Sequence, residues 1–220
     1  MKFEKFFNSK FYKVLELIYR LIITNLVGLL AILLGLGIFS LMSAIISMVI
    51  IVKSISTDTE FPLVTVFINS FKKNYKRVLP LSFFYLFLIA LSVFNLFFFY
   101  VWFNEVGSLF YEVAFNFSIF ILLFVLAMFI NACFVYVYFP NLTNWKIIKY
   151  SFTLFRVTII QFILMIIFLV GLFFLVYTIP LLVIFIYISL GLYLINYSLK
   201  NTYRILVVDG VESLNAFMYK

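Results

Sequence analysis

The chain has 220 residues, of which 67% are hydrophobic and only 11% charged, and its mean hydropathy is +1.24. A chain this short cannot hide so many bilayer-length apolar runs in one water-soluble core, so the composition reads as an integral membrane protein. The formal net charge of +8 matters less than where the 16 Lys and Arg stand, because cations beside short loops set orientation, and the balance does not point to nucleic acid.

Residues 3–16 place Phe3, Phe7, Phe11 and Val14 along one helical face with Lys2, Lys5, Lys10 and Lys13 mostly elsewhere, the pattern of a helix lying on an anionic surface. Glu16 and Arg20 stand four apart in the order that favours a local ion pair. The apolar block 17–52 is too long for one span at ~1.5 Å per residue across a ~30 Å hydrocarbon core. A split at Leu34-Gly35-Leu36-Gly37 makes it a hairpin, either two short spans or a re-entrant pair, and Ser40, Ser43 and Ser47, with Ala44 beside them, form a small-residue packing face.

After a polar loop at Lys53 to Glu60, residues 62–78 predict a second interfacial helix. Val64, Phe67, Ile68, Phe71, Tyr75 and Val78 lie on its apolar side, with Lys72, Lys73, Asn74, Lys76 and Arg77 on the other. A second hairpin spans about 79–139, turning at Asn104 to Glu112. A third interfacial helix, 144–156, carries Trp145, Ile148, Phe152 and Phe155 opposite Lys146, Lys149 and Arg156. It leads to a third hairpin at about 157–199, turning at Thr178-Ile179-Pro180. All four prolines fall at or near these expected helix ends.

The fold class is therefore all-α: a single polytopic membrane domain with six transmembrane helices in three hairpins, each preceded by a basic amphipathic interfacial helix. With six crossings, every Lys and Arg falls on one side and the three hairpin tips carry none, which puts both termini in the cytoplasm. The implied location is the plasma membrane, with anionic lipid at the cytoplasmic face as the first partner. The basic cluster Lys72, Lys73, Lys76 and Arg77 is the expected surface for lipid or partner docking.

Chemistry finds little support. Without histidine, the Ser-His and Cys-His nucleophile arrangements cannot be built, and the lone Cys133 has no thiol partner, so no enzyme activity, metal or cofactor is expected. Intramembrane ionisable groups mark most ion-coupled transporters, and the second to sixth spans have none. Asn25, Asn95, Asn131, Gln161 and Asn196 remain as polar groups inside spans. They either hydrogen-bond helices together or line a path for a neutral solute such as a sugar. An intramembrane enzyme would require Glu16, Arg20 and Asn25 to meet around a cavity.

The order of features resembles the YesL-like family of uncharacterised bacterial membrane proteins. The resemblance rests on Asn25 with the small-residue bend from Gly35 to Ala44, Phe67 with Phe71-Lys72-Lys73-Asn74-Tyr75, Tyr138-Phe139-Pro140, and Pro180. The bend carries glycines where a proline-alanine pair is expected in the family. The resemblance implies a role accessory to carbohydrate uptake, through contact with a membrane transporter or complex, with the small permease as the alternative.

Overall fold

The computed structural model describes residues 10–35, 37–56, 61–153 and 159–208, and all its regular elements are helical. The expected interfacial positions 3–9, the loop through Asp58 and Glu60, the Arg156 end of the third interfacial segment, and the tail from Asp209 lie outside the described residues.

Helix α1 (Lys10–Leu34) carries the basic N-terminal stretch straight into the first apolar run, and a 3-10 turn (Gly37–Phe39) leads to α2 (Leu41–Ile55). Gly37 adopts φ +62 in this turn, a conformation that costs any L side chain but not glycine. Gly35 is required for a different reason: a Cβ there would stand 2.4 Å from Cβ of Ser40, so the return helix could not approach. The chain then runs through α3 (Leu63–Val106), α4 (Leu109–Tyr138), α5 (Asn144–Thr153) and α6 (Ile159–Thr178). The last helix, α7, covers residues 180–208 as Pro180–Leu182, a π-helical turn (Val183–Tyr187) and Ile188–Val208.

Among the described residues, five helices are long and apolar enough to cross a membrane, and the 15-residue α2 is a sixth, shorter apolar helix. At ~1.5 Å per residue α2 is about 22 Å long, less than a hydrocarbon core. Ten of its residues are buried, so it is the central helix of the bundle, covered by its neighbours. Ser43 and Ala44 are buried on it as a packing face requires, and Ser47 turns its hydroxyl back to Ser43 O at 2.8 Å.

Two expectations about α3 are corrected. The interfacial segment 62–78 and the following span are one unbroken 44-residue helix, and Pro80 lies inside it, not at an end. Proline costs about 3 kcal/mol in a helix interior, yet packing holds both flanks of this one, since Val78, Leu81, Ser82 and Tyr85 are all buried. The buried stripe of α3 is also rotated from the expected apolar face. It follows Phe67, Asn74, Val78, Leu81 and Tyr85, which keeps helical spacing, while Val64 and Ile68 are exposed. Asn74 thus belongs to the core, not to the charged side. On α5, Ile147 and Ser151 are buried while Trp145 and Phe152 face outward, as side chains in a headgroup layer would.

The buried core is concentrated in α2, in residues 127–138 of α4, and in the first half of α3. Beyond it α3 and α4 are held together by their rings, with Trp102 stacked on Tyr111 and Phe103 on Phe115. Its outer faces expose Phe87, Phe94, Phe97 and Phe117. Gly107, at φ +64, closes the C-terminus of α3, and Ser108 caps α4 by accepting from Phe110 N at 3.3 Å.

Candidate functional site

The spans contain polar side chains that the bilayer cannot satisfy, so each must find a partner inside the protein. Asn25, at 0% exposure, inserts its carboxamide from α1 into the backbone of α7. Its Nδ2 donates to Val183 O at 2.9 Å and Ile184 O at 2.6 Å, and its Oδ1 accepts from Ser189 N at 3.0 Å. These backbone groups belong to the π-helical turn and its C-terminal flank, where the helix is too wide for the ordinary ladder to close. The side chain therefore acts as an extra peptide unit. Ser189 answers by donating its Oγ to Leu21 O at 2.8 Å, which binds the two helices a second time.

Asn131 links three other elements. Its Nδ2 donates to Ser151 O at 2.9 Å, its Oδ1 accepts from the Tyr203 hydroxyl at 2.7 Å, and both ends of this contact are buried. Ser151 Oγ donates to Ile148 O, so the Tyr85 hydroxyl 2.8 Å away is the donor toward Ser151. Tyr203, Asn131, Ser151 and Tyr85 thus form one chain of hydrogen bonds from α7 through α4 and α5 to α3.

Asn196 joins α7 to the end of α4 and to the residue that follows α2: its Oδ1 accepts from Tyr138 OH at 2.8 Å and its Nδ2 donates to Ser56 Oγ at 2.8 Å. Gln161 makes a longer contact, Nε2 to Ser198 O at 3.4 Å, between α6 and α7. Asn95 is half-buried on α3. The structure does not bring these five side chains together around one space.

Described residues line two grooves. One, of about 520 Å³, lies between α1 and the start of α3 and is lined by Tyr12, Glu16, Tyr19, Arg20, Phe61 and Thr65 among others. Arg20 donates to Glu16 as the spacing predicts and lies 5.7 Å from the ring centroid of Phe61. Asn25 is not among the lining residues, so the triad of Glu16, Arg20 and Asn25 does not assemble there. The other, of about 190 Å³, runs between α6 and α7 past Phe168, Tyr187 and Gly191 and is almost wholly apolar.

The basic cluster divides in two. Lys72, Lys73 and Lys76 are exposed on α3. Arg77 is exposed as well, but its Nη2 donates to Pro140 O and its guanidinium stands 5.2 Å from the Tyr136 ring centroid, while Asn144 Nδ2 donates to Arg77 O at 3.2 Å. Arg77 therefore ties the end of α4 and the start of α5 to α3. Beneath it Asn74 Oδ1 accepts from Tyr136 OH at 2.9 Å.

Cations from separate groups gather at one end of the bundle. Arg20 meets Phe61, Lys53 stands over Tyr138, Lys200 donates to Ser56 O, and Arg77 reaches the carbonyl of Pro140, two residues past Tyr138. Sequence reasoning did not find Ser56, Asn74, Ser151, Ser189 or Tyr203 as bonding partners. For Asn74 alone a signal existed, its place on the Phe67, Phe71, Asn74, Val78 spacing.

Residues 21–96 match the model of a family described as a protein of unknown function, DUF624. The match covers most of α1, all of α2 and α3 as far as Leu96, and so includes Asn25 and the basic cluster. No curated protein and no solved structure shows a significant match to the chain.

Proposed function

We propose that this chain is a non-enzymatic, YesL-like accessory protein of the plasma membrane that acts by contact with another membrane complex, in the setting of carbohydrate uptake that the resemblance implies. The observation that carries the reading is the fate of the intramembrane amides. Asn25, Asn131 and Asn196 are consumed in bonds between helices, which supports a packed scaffold that works through its surfaces. The same observation weighs against the permease, whose motive was that these amides face a solute.

The accompanying topology is three hairpins with both termini cytoplasmic. The gathering of Arg20, Lys53, Arg77 and Lys200 at one end supports it, because an even number of passes returns each cation group to the same face. The first hairpin is the short one, its tip resting with Phe39 against Phe83 of α3, 5.5 Å between ring centroids.

Within this reading the docking surface is Lys72, Lys73 and Lys76, with Arg77 kept for structure. The test is purification of the full chain from mild detergent, wild type beside K72E/K73E/K76E. A membrane partner retained by the first and lost from the second, with insertion unchanged, is expected. Absence of any partner, together with unchanged sugar uptake in a deletion strain, would remove the proposal.

A further inference from the structure

Two lysines without a carboxylate partner among the described residues meet at the C-terminal end of α2. The Lys53 ammonium stands 4.3 Å from the ring centroid of Tyr138, and Lys200 Nζ donates to Ser56 O at 3.2 Å. The residues between them are bonded in series, since Tyr138 OH donates to Asn196 Oδ1 and Asn196 Nδ2 to Ser56 Oγ. Both lysines are half-buried.

Their charge is not balanced by the described residues. Glu16 is engaged with Arg20, and Glu105 and Glu112 flank the Gly107 turn at the other ends of α3 and α4. The C-terminus of α2 offers a partial charge of about −0.5, which leaves an excess of roughly one and a half positive charges. Burial without an anion lowers the Lys53 ammonium to about 8. Lys200 spends one of its three N–H donors on Ser56, and Lys53 spends none on a described oxygen.

Depth narrows the ligand. Lys53 follows the apolar run that ends at Val52, and Lys200 follows the one that ends at Leu199, so both ammonium groups stand where hydrocarbon gives way to headgroups. We propose that Lys53 and Lys200, held by Tyr138, Asn196 and Ser56, bind a phosphate-bearing anion at the basic end of the bundle. The phosphate belongs either to a phospholipid headgroup or to a soluble phosphate ester.

The test uses the full chain, purified and delipidated in detergent, with the thermal unfolding midpoint followed against added phosphatidylglycerol, glycerol phosphate or diacylglycerol. Phosphatidylglycerol is expected to raise the midpoint. Its half-saturating concentration should rise by about tenfold or more in K53Q/K200Q, the loss expected when charge-assisted hydrogen bonds are removed, and stay unchanged in K146Q/K149Q, which removes two exposed lysines of α5. Since the readout is the shift on adding ligand, a lower starting stability of the lysine variant does not obscure it. A response to glycerol phosphate as well would identify a site open to water; a response to the lipid alone would identify a headgroup site. Equal half-saturation in wild type and K53Q/K200Q, an equal response to diacylglycerol, or no response in wild type would overturn the proposal. So would a response confined to D58N/E60Q, because the chain itself would then supply the anion.

Discussion

Replacing Asn25 by leucine tests whether one carboxamide holds the π-helical turn of α7 to α1. The substitution nearly conserves volume, so packing changes little, but it removes three hydrogen bonds, to Val183 O, Ile184 O and Ser189 N. Interhelical hydrogen bonds in membranes contribute about 0.6 kcal/mol on average and up to ~1.7, so three give ~2–5 kcal/mol. The lower figure applies if the turn tightens to an α-helix and pairs its own backbone groups, the upper if it stays open with those groups unsatisfied. N25D should cost more than N25L, because a carboxylate would face two carbonyl oxygens inside the bilayer. The assay is reversible unfolding in mixed micelles on titration with SDS, followed by the fluorescence of Trp102 and Trp145. Measuring N25L, S189A and the double variant adds a coupling energy, expected between 0.5 and 3 kcal/mol in magnitude for side chains that share a network. If N25L unfolds within about 0.5 kcal/mol of wild type and the double variant is additive, the strap is not structural and the reasoning fails.

The same assay addresses the network at Asn131. Y203F leaves the buried Asn131 Oδ1 without its donor and should cost about 1–3 kcal/mol, whereas Y197F, at an exposed ring, should cost almost nothing. Two glycines should respond for different reasons. G191A drives a Cβ to 2.0 Å from the Phe168 ring, which is stacked on Tyr187, and overpacking of that kind costs about 1–3 kcal/mol. G37A meets no atom within 4 Å, so only its positive φ should count, at about 1–2 kcal/mol. Orientation is checked by E105C, at an exposed position in the last turn of α3, which should react with an impermeant thiol reagent applied to intact cells. The native Cys133 is buried and should stay silent until the protein unfolds. Labelling of E105C only after lysis would invert the topology.

By itself the sequence was enough for what depends on local patterning. Apolar run lengths against bilayer thickness gave the membrane class and the all-helical fold, and the glycines at 35 and 37 marked a break that the structure has at that place. The Glu16–Arg20 pair was likewise legible, because four-residue spacing on a helix brings the two ends together without help from the rest of the chain. What tertiary structure decided was every relation between helices. No local signal distinguishes an amide that lines a pore from one that straps a neighbour, because the choice depends on which backbone groups another helix leaves unpaired. Asn25 finds its partners more than 150 residues away, at a π turn that only packing reveals. Arg77 reads as one of four equivalent cations until the carbonyl of Pro140 is brought beside it. The continuity of α3 through Pro80 was hidden for a similar reason: proline's cost is local and visible, whereas the burial on both sides that offsets it is not.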